Sequence, residues 1–362
     1  MILPVCTRCG KPYPLQGAPF QCSCGGVYDY VEFPQFKPAS TGASQKGLWK
    51  YHSSIGEDLP VITLGEGNTP LVEVKLGSQS VWLKLEYLNP SGSYKDRGSA
   101  VLTSFLVSRG VTSAVEDSSG NAGASFAAYA ARAGIRAQIF IPSTASGPKR
   151  KQIELYGAKI ESIPGARIEA SKAVLQAAAQ NKVYASHACM PFGLTGIATI
   201  AYEIVDQLGG KAPGTVVAPL GHGGLLYGLI QGFAALRKAA VVINEPFYVG
   251  LQSAGCAPVY EAYQKHEMTL REPAESDTIA EGVRVSHPVR GLAILAALQN
   301  NRGCVLAVAD DSLLAAYRDI AKRGFFVEPT AALGWAALPK IIEKYPGPVV
   351  VVLTGSGYKT EI

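Results

Sequence analysis

The stretch Asn89-Pro90-Ser91-Gly92-Ser93-Tyr94-Lys95-Asp96-Arg97-Gly98 joins a predicted strand, Val81–Leu85, to a predicted helix over residues 96–109. A lysine at the start of a helix is electrostatically unusual, because the helix N-terminus carries partial positive charge. That setting lowers the pKa of an amine and suits a lysine that works uncharged, as a covalent partner or a base. An exposed lysine beside a capping Ser93, with Asp96 balancing the helix dipole, explains this loop equally well.

Outward from this loop, short apolar runs alternate with helical patterns. Further strands are predicted at Val111–Val115, Ala137–Ile141, Lys159–Ile163, Val216–Pro219, Tyr248–Leu251, Val305–Val308 and Val349–Leu353. Helices are predicted at Ala122–Ala133, Lys149–Tyr156, Arg167–Gln180, from residue 224 to about 237, and at Leu313–Lys322 with Asp310 or Asp311 as its N-cap. This alternation is typical of an α/β fold with a mostly parallel sheet, whose ligands lie at the carboxyl ends of the strands.

Two other loops join a predicted strand to a helix. In Asp117–Ser125, small residues and an amide side chain open a helix, where backbone N–H groups bind carboxylate or phosphate. Ordinary capping by Ser119 or Asn121 explains the same residues. Pro219–Leu225 is rich in glycine and has the form of a phosphate cradle. It matches neither the Walker P-loop nor the dinucleotide fingerprint, so alone it is a weak signal.

Composition narrows the class of protein. The 362 residues are 48% hydrophobic and 17% charged, which excludes a disordered chain. The net charge is +5 and no Lys/Arg run exceeds Lys149-Arg150-Lys151, so neither nucleic acid nor a membrane surface is expected as a partner. No apolar run approaches the ~18 residues that span a bilayer, and the first residues lack a secretory pattern. We therefore expect a cytoplasmic protein.

The first 36 residues are rich in Cys, Pro, Gly and aromatic residues. Four of the seven cysteines form two close pairs, Cys6 with Cys9 and Cys22 with Cys24. Tight turns of this kind point two thiolates inward, and the glycines that follow let backbone N–H groups approach the sulfurs. Residues 1–36 are therefore predicted to form a zinc ribbon, with a metal-free ribbon of the same shape as the alternative. The odd number of cysteines argues against a disulfide framework.

Together the three loops closely resemble those of the fold-type-II pyridoxal-phosphate enzymes, in particular the threonine synthase family. The Lys95 loop looks like the family's cofactor-lysine motif, which usually has Phe before the Lys. Ser-Gly-Asn121-Ala-Gly looks like its Ser/Thr-Gly-Asn loop, and Leu353–Lys359 looks like the end of the threonine synthase branch. Further similar segments are Leu64–Leu71, Ile279–Arg284 and Val327–Ala332. A cysteine-bearing N-terminal ribbon also occurs in some threonine synthases and in cysteate synthase.

The resemblance implies a pyridoxal 5'-phosphate cofactor and a role for each loop. Lys95 would hold the cofactor covalently and then transfer protons, and Asn121 would hydrogen-bond the ring hydroxyl. The residues expected to cradle the cofactor phosphate are Gly221, His222, Gly223, Gly224 and Leu225. Thr354 would face the pyridine nitrogen, where a hydroxyl favours elimination and replacement, and Glu281 is expected near the cofactor or as a solvated carboxylate. The residues expected to bind the substrate α-carboxylate are Ser119, Gly120, Asn121 and Ala122.

The resemblance also implies a two-domain architecture of the tryptophan synthase β type with parallel sheets. Residues 37–97 and 196–362 would form a large cofactor-binding domain, and residues 98–195 a smaller mobile domain. The Cys-rich ribbon of residues 1–36 would precede both. Relatives are commonly dimers, so a homodimer is expected.

The activity implied is that of a cytoplasmic lyase of amino-acid biosynthesis, a threonine synthase that converts O-phospho-L-homoserine and water to L-threonine and phosphate. Two departures bear on the substrate. Ala122 stands where threonine synthases usually have Thr, and residues 186–196 lack the Lys or Arg that helps many relatives bind the substrate phosphate. That loss removes a charge-assisted partner worth ~1.5–3 kcal/mol. The side chains considered as substitutes are Lys149, Arg150 and His187.

Two alternatives to this activity stay open. With the same cofactor, the protein would be a serine/threonine ammonia-lyase or an O-phosphoserine β-replacement enzyme similar to cysteate synthase. In a different class, it would be a zinc-ribbon binding protein on a retired enzyme scaffold. The intact Lys95, Asn121, glycine loop and Thr354 argue against that last interpretation.

Overall fold

The computed structural model describes residues 2–38, 46–77, 79–273, 276–299 and 302–360. Its strands are β1 (Val5–Cys6), β2 (Tyr28–Asp29), β3 (Leu71–Leu76), β4 (Gln79–Lys84), β5 (Ser113–Glu116), β6 (Arg136–Pro142), β7 (Lys159–Ile163), β8 (Thr215–Pro219), β9 (Phe247–Ser253), β10 (Gly303–Val308) and β11 (Val349–Val352). Its helices are α1 (His52–Ile55), α2 (Lys95–Ser108), α3 (Asn121–Ala133), α4 (Pro148–Leu155), α5 (Arg167–Ala179), α6 (Gly193–Gln207), α7 (Gly224–Lys238), α8 (Pro258–Gln264), α9 (Gly291–Leu298), α10 (Asp310–Lys322) and α11 (Pro329–Ile341). None of the described helices is long and apolar enough to cross a membrane.

The chain divides into two compact units. The first comprises Met1–Gly67, Asn89–Gly196 and Lys359–Ile362, and the second comprises Asn68–Leu88 and Ile197–Tyr358. Residues 37–67 and 89–97, assigned by the sequence analysis to a large domain, lie in the first unit together with the Cys-rich ribbon. Local bonds explain this placement, since the Asn89 amide oxygen accepts from the Gly67 N–H at 2.9 Å.

The first unit is built on a parallel three-stranded sheet in the order β5-β6-β7. Tyr184 adds a parallel bridge to Val115 on the free side of β5. The helices α2 and α3 pack against each other in this unit. A small apolar cluster includes Val115, Phe140, Val174 and Tyr184.

The second unit is built on a six-stranded sheet in the order β10-β9-β8-β11-β4-β3. Every neighbouring pair is parallel except β3 with β4. The central strands β8 and β11 are buried along their whole length, which is why they are almost uninterrupted apolar runs. The main core of this unit lies between the sheet and helices such as α11.

Helix ends follow the sequence signals in one case and depart from them in another. Gly134 ends α3 in the left-handed conformation, with φ of 70°, as its glycine predicts. The N-cap of α10 is Ala309, so the prediction of Asp310 or Asp311 at that position was wrong. The Asp310 carboxylate instead accepts hydrogen bonds from the Thr278 hydroxyl and the Ile279 N–H, both at 2.8 Å. These partners are distant in sequence, so the local pattern around Asp310 did not indicate them.

Candidate active site

Lys95 is the first residue of α2, at the end of a tightly bonded loop. The Asp96 carboxylate accepts from the Ser91 N–H at 2.6 Å, the Ser91 hydroxyl at 2.5 Å and the Ser125 hydroxyl at 2.6 Å. These bonds fold the chain back over one turn and join it to α3. Lys95 is half-buried, and its Nζ lies 5.0 Å from the centre of the Tyr94 ring.

Capping does not account for the residues of this loop. The start of α2 has no side-chain cap, and the Ser93 hydroxyl is buried without a hydrogen-bond partner among the described residues. Asp96 is fully buried, and burial raises its pKa to about 6 against the hydrogen bonds from Ser125 and Ser91. A buried carboxyl of this kind holds the loop in shape rather than neutralising an exposed helix end. The lysine is therefore positioned by the loop.

The second loop follows β5 and opens α3. Its N-cap is Gly120, which has no side chain, so neither Ser119 nor Asn121 holds the N-cap position. Gly123 is required by close packing, because a Cβ there would lie 1.8 Å from the Ser118 carbonyl oxygen. The first turn of α3 therefore presents backbone N–H groups beside small side chains, which suits a carboxylate.

A buried pair of acidic and imidazole side chains lies in the same unit, and sequence reasoning missed it. The His187 Nδ1 lies 2.5 Å from Oε1 of Glu116, whose side chain is 0% exposed. The second carboxylate oxygen of Glu116 accepts from the Ser118 N–H at 2.5 Å. The sequence did contain a signal for this pair. Two adjacent acids, Glu116 and Asp117, follow a predicted strand and precede the Ser-Gly-Asn loop, and strand ends carry ligand-binding residues.

The pKa shifts of this pair have one main cause. Burial raises the pKa of Glu116 to about 7, and the N–H of Ser118 opposes that shift. The positive charges of Arg167 and Lys95 oppose it as well. Burial also lowers the pKa of His187 well below its usual value, with Lys95 acting in the same direction. Below a pH of about 7 the pair therefore holds one proton and no net charge.

The next residue, Asp117, is held by two hydroxyl groups. Its carboxylate accepts from the Tyr184 hydroxyl and from the Ser171 hydroxyl, both at 2.7 Å. These bonds tie the β5 loop to α5 and to the segment before His187. The loop is thus fixed on both sides.

The three side chains considered as substitutes for the missing basic residue, Arg150, His187 and Lys149, lie in different environments. Arg150 pairs with Glu154 at 3.1 Å and donates to the Ala145 carbonyl at 3.0 Å. His187 pairs with Glu116, and Lys149 is half-buried in α4. Arg167, which sequence reasoning did not consider, is exposed at the start of α5 and its charge reaches Glu116.

In the second unit, β8 leads into the glycine loop. Gly223 is the N-cap of α7 with φ of 93°, a conformation that favours glycine. A Cβ on Gly221 would lie 3.0 Å from the Gly282 carbonyl oxygen, whereas a Cβ on Gly224 would meet nothing within 4 Å. The Arg290 N–H donates to the carbonyl of His222 at 3.0 Å and fixes the turn. The first turn of α7 therefore borders open space that suits a phosphate.

Thr354 directly follows β11, whose parallel neighbour β8 leads into the glycine loop. The two segments thus lie at the carboxyl ends of adjacent strands. Thr354 is 2% exposed, and its Oγ1 has no hydrogen-bond partner among the described residues. Glu281 is exposed, in a short 3-10 turn, which matches the solvated carboxylate of the sequence analysis.

Comparisons with known proteins agree with this arrangement. The sequence profile of the family described as pyridoxal-phosphate dependent enzyme matches residues 62–355. The chain is 32% identical over 373 residues to the threonine synthase of Methanocaldococcus jannaschii, covering 98% of this chain and 92% of the relative. It is 35% identical over 318 residues to the threonine synthase of Mycobacterium tuberculosis, covering 84% and 85%.

Among solved structures, a threonine deaminase from T.th. matches with a TM-score of 0.69 at 25% identity, covering 81% of this chain and 94% of that one. The chain belongs to the fold-type-II pyridoxal-phosphate-dependent enzymes, in the threonine synthase family.

The residues present fit the cofactor of this family. The buried Oγ1 of Thr354 is an unused polar group of the kind a pyridine nitrogen takes as its partner. In the second unit, the open space beside Gly224 would suit the cofactor phosphate. In the first unit, the half-buried amine of Lys95 would suit its aldehyde. When bound, pyridoxal phosphate supplies an electron sink that makes the protons next to the substrate amine acidic.

The Glu116–His187 pair leads to a prediction about pH. Raising the pH through about 7 removes the shared proton and leaves a negative charge, because that is the pKa of Glu116. Lys95, Arg167 and Asp117 are the other charged groups that act on the pair. We expect kcat/KM for an anionic substrate to fall as the pH rises through this range. Glu116→Gln abolishes this fall, which pH profiles of the two proteins check; an unchanged fall in the variant contradicts the assignment.

Proposed function

We propose that this enzyme is a threonine synthase, converting O-phospho-L-homoserine and water to L-threonine and phosphate. The observation that carries the proposal is the 32–35% identity to threonine synthases over 84–98% of the chain. In this reaction the bond between Cγ and the phosphate oxygen breaks, and water adds its hydroxyl at Cβ. The net change moves protons among the substrate carbons, and Lys95 is the amine placed to transfer them.

Each sequence-predicted residue keeps its role in the proposal. Lys95 binds the cofactor and transfers protons, Asn121 bonds the ring hydroxyl, and Thr354 faces the pyridine nitrogen. The cofactor phosphate binds at Gly221, His222, Gly223, Gly224 and Leu225. The substrate α-carboxylate binds at Ser119, Gly120, Asn121 and Ala122. A cytoplasmic location and a homodimer remain part of the same proposal.

Arg167 is proposed as the cation that replaces the basic residue missing from residues 186–196. Its charge acts on Glu116 and on His187, so it lies in the electrostatic field of the same cluster. Its position at the N-terminus of α5 adds the partial positive charge of the helix end. Together with the net-neutral Glu116–His187 pair, these charges favour a phosphate over a neutral side chain.

One observation favours a second candidate. Residues 186–196 contain no Lys or Arg, and the buried Glu116 carboxyl beside His187 gains a negative charge as the pH rises through its pKa of about 7. A hydroxyl leaving group suits such a site better than a phosphate dianion, as in a serine/threonine ammonia-lyase. Replacement on O-phosphoserine, by contrast, keeps the requirement for cations.

A substrate panel separates the candidates. The holoenzyme is given O-phospho-L-homoserine, O-phosphoserine, serine and threonine in turn, and phosphate, ammonia and 2-oxo acid are measured. The proposal predicts the highest kcat/KM with O-phospho-L-homoserine. It also predicts that Arg167→Gln raises KM for that substrate by about tenfold, the loss of one charge-assisted contact. Ammonia and 2-oxo acid from threonine, without phosphate release from the first substrate, would establish the ammonia-lyase instead.

A further inference from the structure

The N-terminal ribbon brings four thiols to one point. The Sγ atoms of Cys6, Cys9, Cys22 and Cys24 all lie within 4.8 Å of one another. The Cys6–Cys24 separation is 3.4 Å and the Cys9–Cys22 separation is 3.7 Å. In a tetrahedral zinc site with Zn–S bonds of about 2.3 Å, neighbouring sulfurs lie about 3.8 Å apart. The four sulfurs therefore already have the spacing of a tetrathiolate metal site.

The backbone enforces this spacing. Each cysteine pair sits in a turn with a left-handed glycine, Gly10 with φ of 72° and Gly25 with φ of 83°. A Cβ on Gly26 would lie 2.5 Å from the Cys6 sulfur, so that glycine lets the chain pass the cluster. The short antiparallel pairing of β1 with β2 brings the two turns together. All four thiols therefore surround one point. Two separate disulfides would need only two close pairs of sulfurs.

The ribbon contacts the helix that begins with Lys95. The Tyr13 ring, 1% exposed, lies edge-on to Phe105 of α2 at 5.8 Å and to Phe192 at 4.9 Å. Phe105 and Phe192 are themselves stacked at 3.5 Å. Arg109, next after α2, donates to the carbonyl groups of Pro14 and Leu15. The loop between the two cysteine pairs is therefore packed against the lysine helix.

A second contact reaches the Glu116–His187 cluster. The Phe20 ring lies 4.9 Å from the ring of Tyr184, whose hydroxyl donates to Asp117. Phe20 stands two residues before Cys22, so the second cysteine turn fixes its position. The ribbon thus contacts both the helix that begins with Lys95 and the Tyr184 ring beside the Glu116–His187 cluster.

We propose that Cys6, Cys9, Cys22 and Cys24 bind one structural Zn²⁺, and that this metal holds the ribbon against α2 and the Tyr184–Phe192 segment. The site is closed, since four protein ligands leave no position for a substrate. The ribbon is too small to bury an apolar core of its own, and a metal supplies the stability that such segments lack. The zinc therefore acts on the active site through packing.

Metal analysis of the purified holoenzyme tests the first part. We expect one zinc per chain, and at least a tenfold lower zinc content in Cys9→Ser and Cys22→Ser. The matched control is Cys304→Ser, a buried cysteine of the second unit, which keeps its zinc. If the cluster variants fail to fold, the wild-type protein is titrated with a mercurial reagent instead. We then expect one zinc to be released per chain as the cluster thiols react. Stoichiometric iron, or no metal with fewer than seven titratable thiols in the unfolded chain, overturns the zinc site.

Hydrogen exchange of the wild-type enzyme before and after metal removal tests the second part. Loss of zinc is expected to speed amide exchange in α2 by at least about tenfold, while α7 in the second unit serves as the internal control. Unchanged exchange in α2 after complete loss of zinc overturns the proposed coupling. Neither measurement uses turnover, so both parts of the zinc proposal are tested independently of the enzyme's substrate.

Discussion

Lys95→Ala is expected to lower kcat by at least about 10⁴-fold, because in the proposed function it removes both the covalent attachment of the cofactor and the proton-transfer base. The loop bonds of Asp96 to Ser91 and Ser125 do not involve the lysine side chain, so the loop keeps its shape. The variant should therefore fold normally. Borohydride reduction of the wild-type holoenzyme should fix pyridoxal phosphate to the peptide that contains Lys95.

The matched control is Lys151→Ala, an exposed lysine of α4 in the same unit. It should retain wild-type activity and the same reduced, cofactor-labelled peptide. Attachment of the cofactor to any other lysine would contradict the assignment. So would a Lys95→Ala variant that keeps more than about a tenth of the wild-type rate, since general-base catalysis alone contributes more than that.

The second large effect concerns stability. Lys84 and Glu203 form an ion pair in the second unit, 2.7 Å apart, with side chains 0% and 1% exposed. The Lys84 ammonium also donates to the Thr69 carbonyl at 2.7 Å and to Gln207 at 2.9 Å. The other oxygen of Glu203 accepts from the Asn68 N–H at 2.7 Å. The pair thus connects β4 to α6 and fixes the turn before β3.

Glu203→Ala is expected to lower the free energy of unfolding by about 3–5 kcal/mol, because it leaves a buried ammonium without its counter-charge. Urea denaturation measures this loss. Glu154→Ala, which breaks the half-exposed pair with Arg150, is the control and should change stability by less than about 1 kcal/mol. The double variant Lys84→Met, Glu203→Leu should recover much of the loss, since apolar replacement of a buried pair is often neutral. A loss below about 1 kcal/mol in the single variant would contradict the role of the pair.

Local signals in the sequence predicted much of the fold. Strands such as β7 and helices such as α3 agree with their predicted bounds within one or two residues, because glycine and proline mark their ends. The edge strand β3 was missed, although Val72, Val74 and Leu76 alternate with Glu73 and Lys75 in the period-2 pattern of a half-exposed strand.

The candidate site was predictable only in part. Lys95, Asn121, the glycine loop and Thr354 stand in recognisable motifs at strand ends. The Glu116–His187 pair does not, because its two residues are 71 positions apart in the sequence. Arg167 does not either, because its charge acts on that pair from another element, α5. The bounds of the two compact units also depend on contacts that the sequence pattern does not show. Residues 89–97 lie in the first unit, where Asn89 bonds to Gly67 and Asp96 bonds to Ser91.

Turnover of O-phospho-L-homoserine in H₂¹⁸O tests the proposed reaction most directly. We expect threonine and phosphate in equal amounts, with the label in the threonine hydroxyl and none in the phosphate. That pattern requires water to add at carbon after the C–O bond has broken. Labelled phosphate with homoserine as the product would mean simple hydrolysis at phosphorus, and no threonine at all would contradict the account.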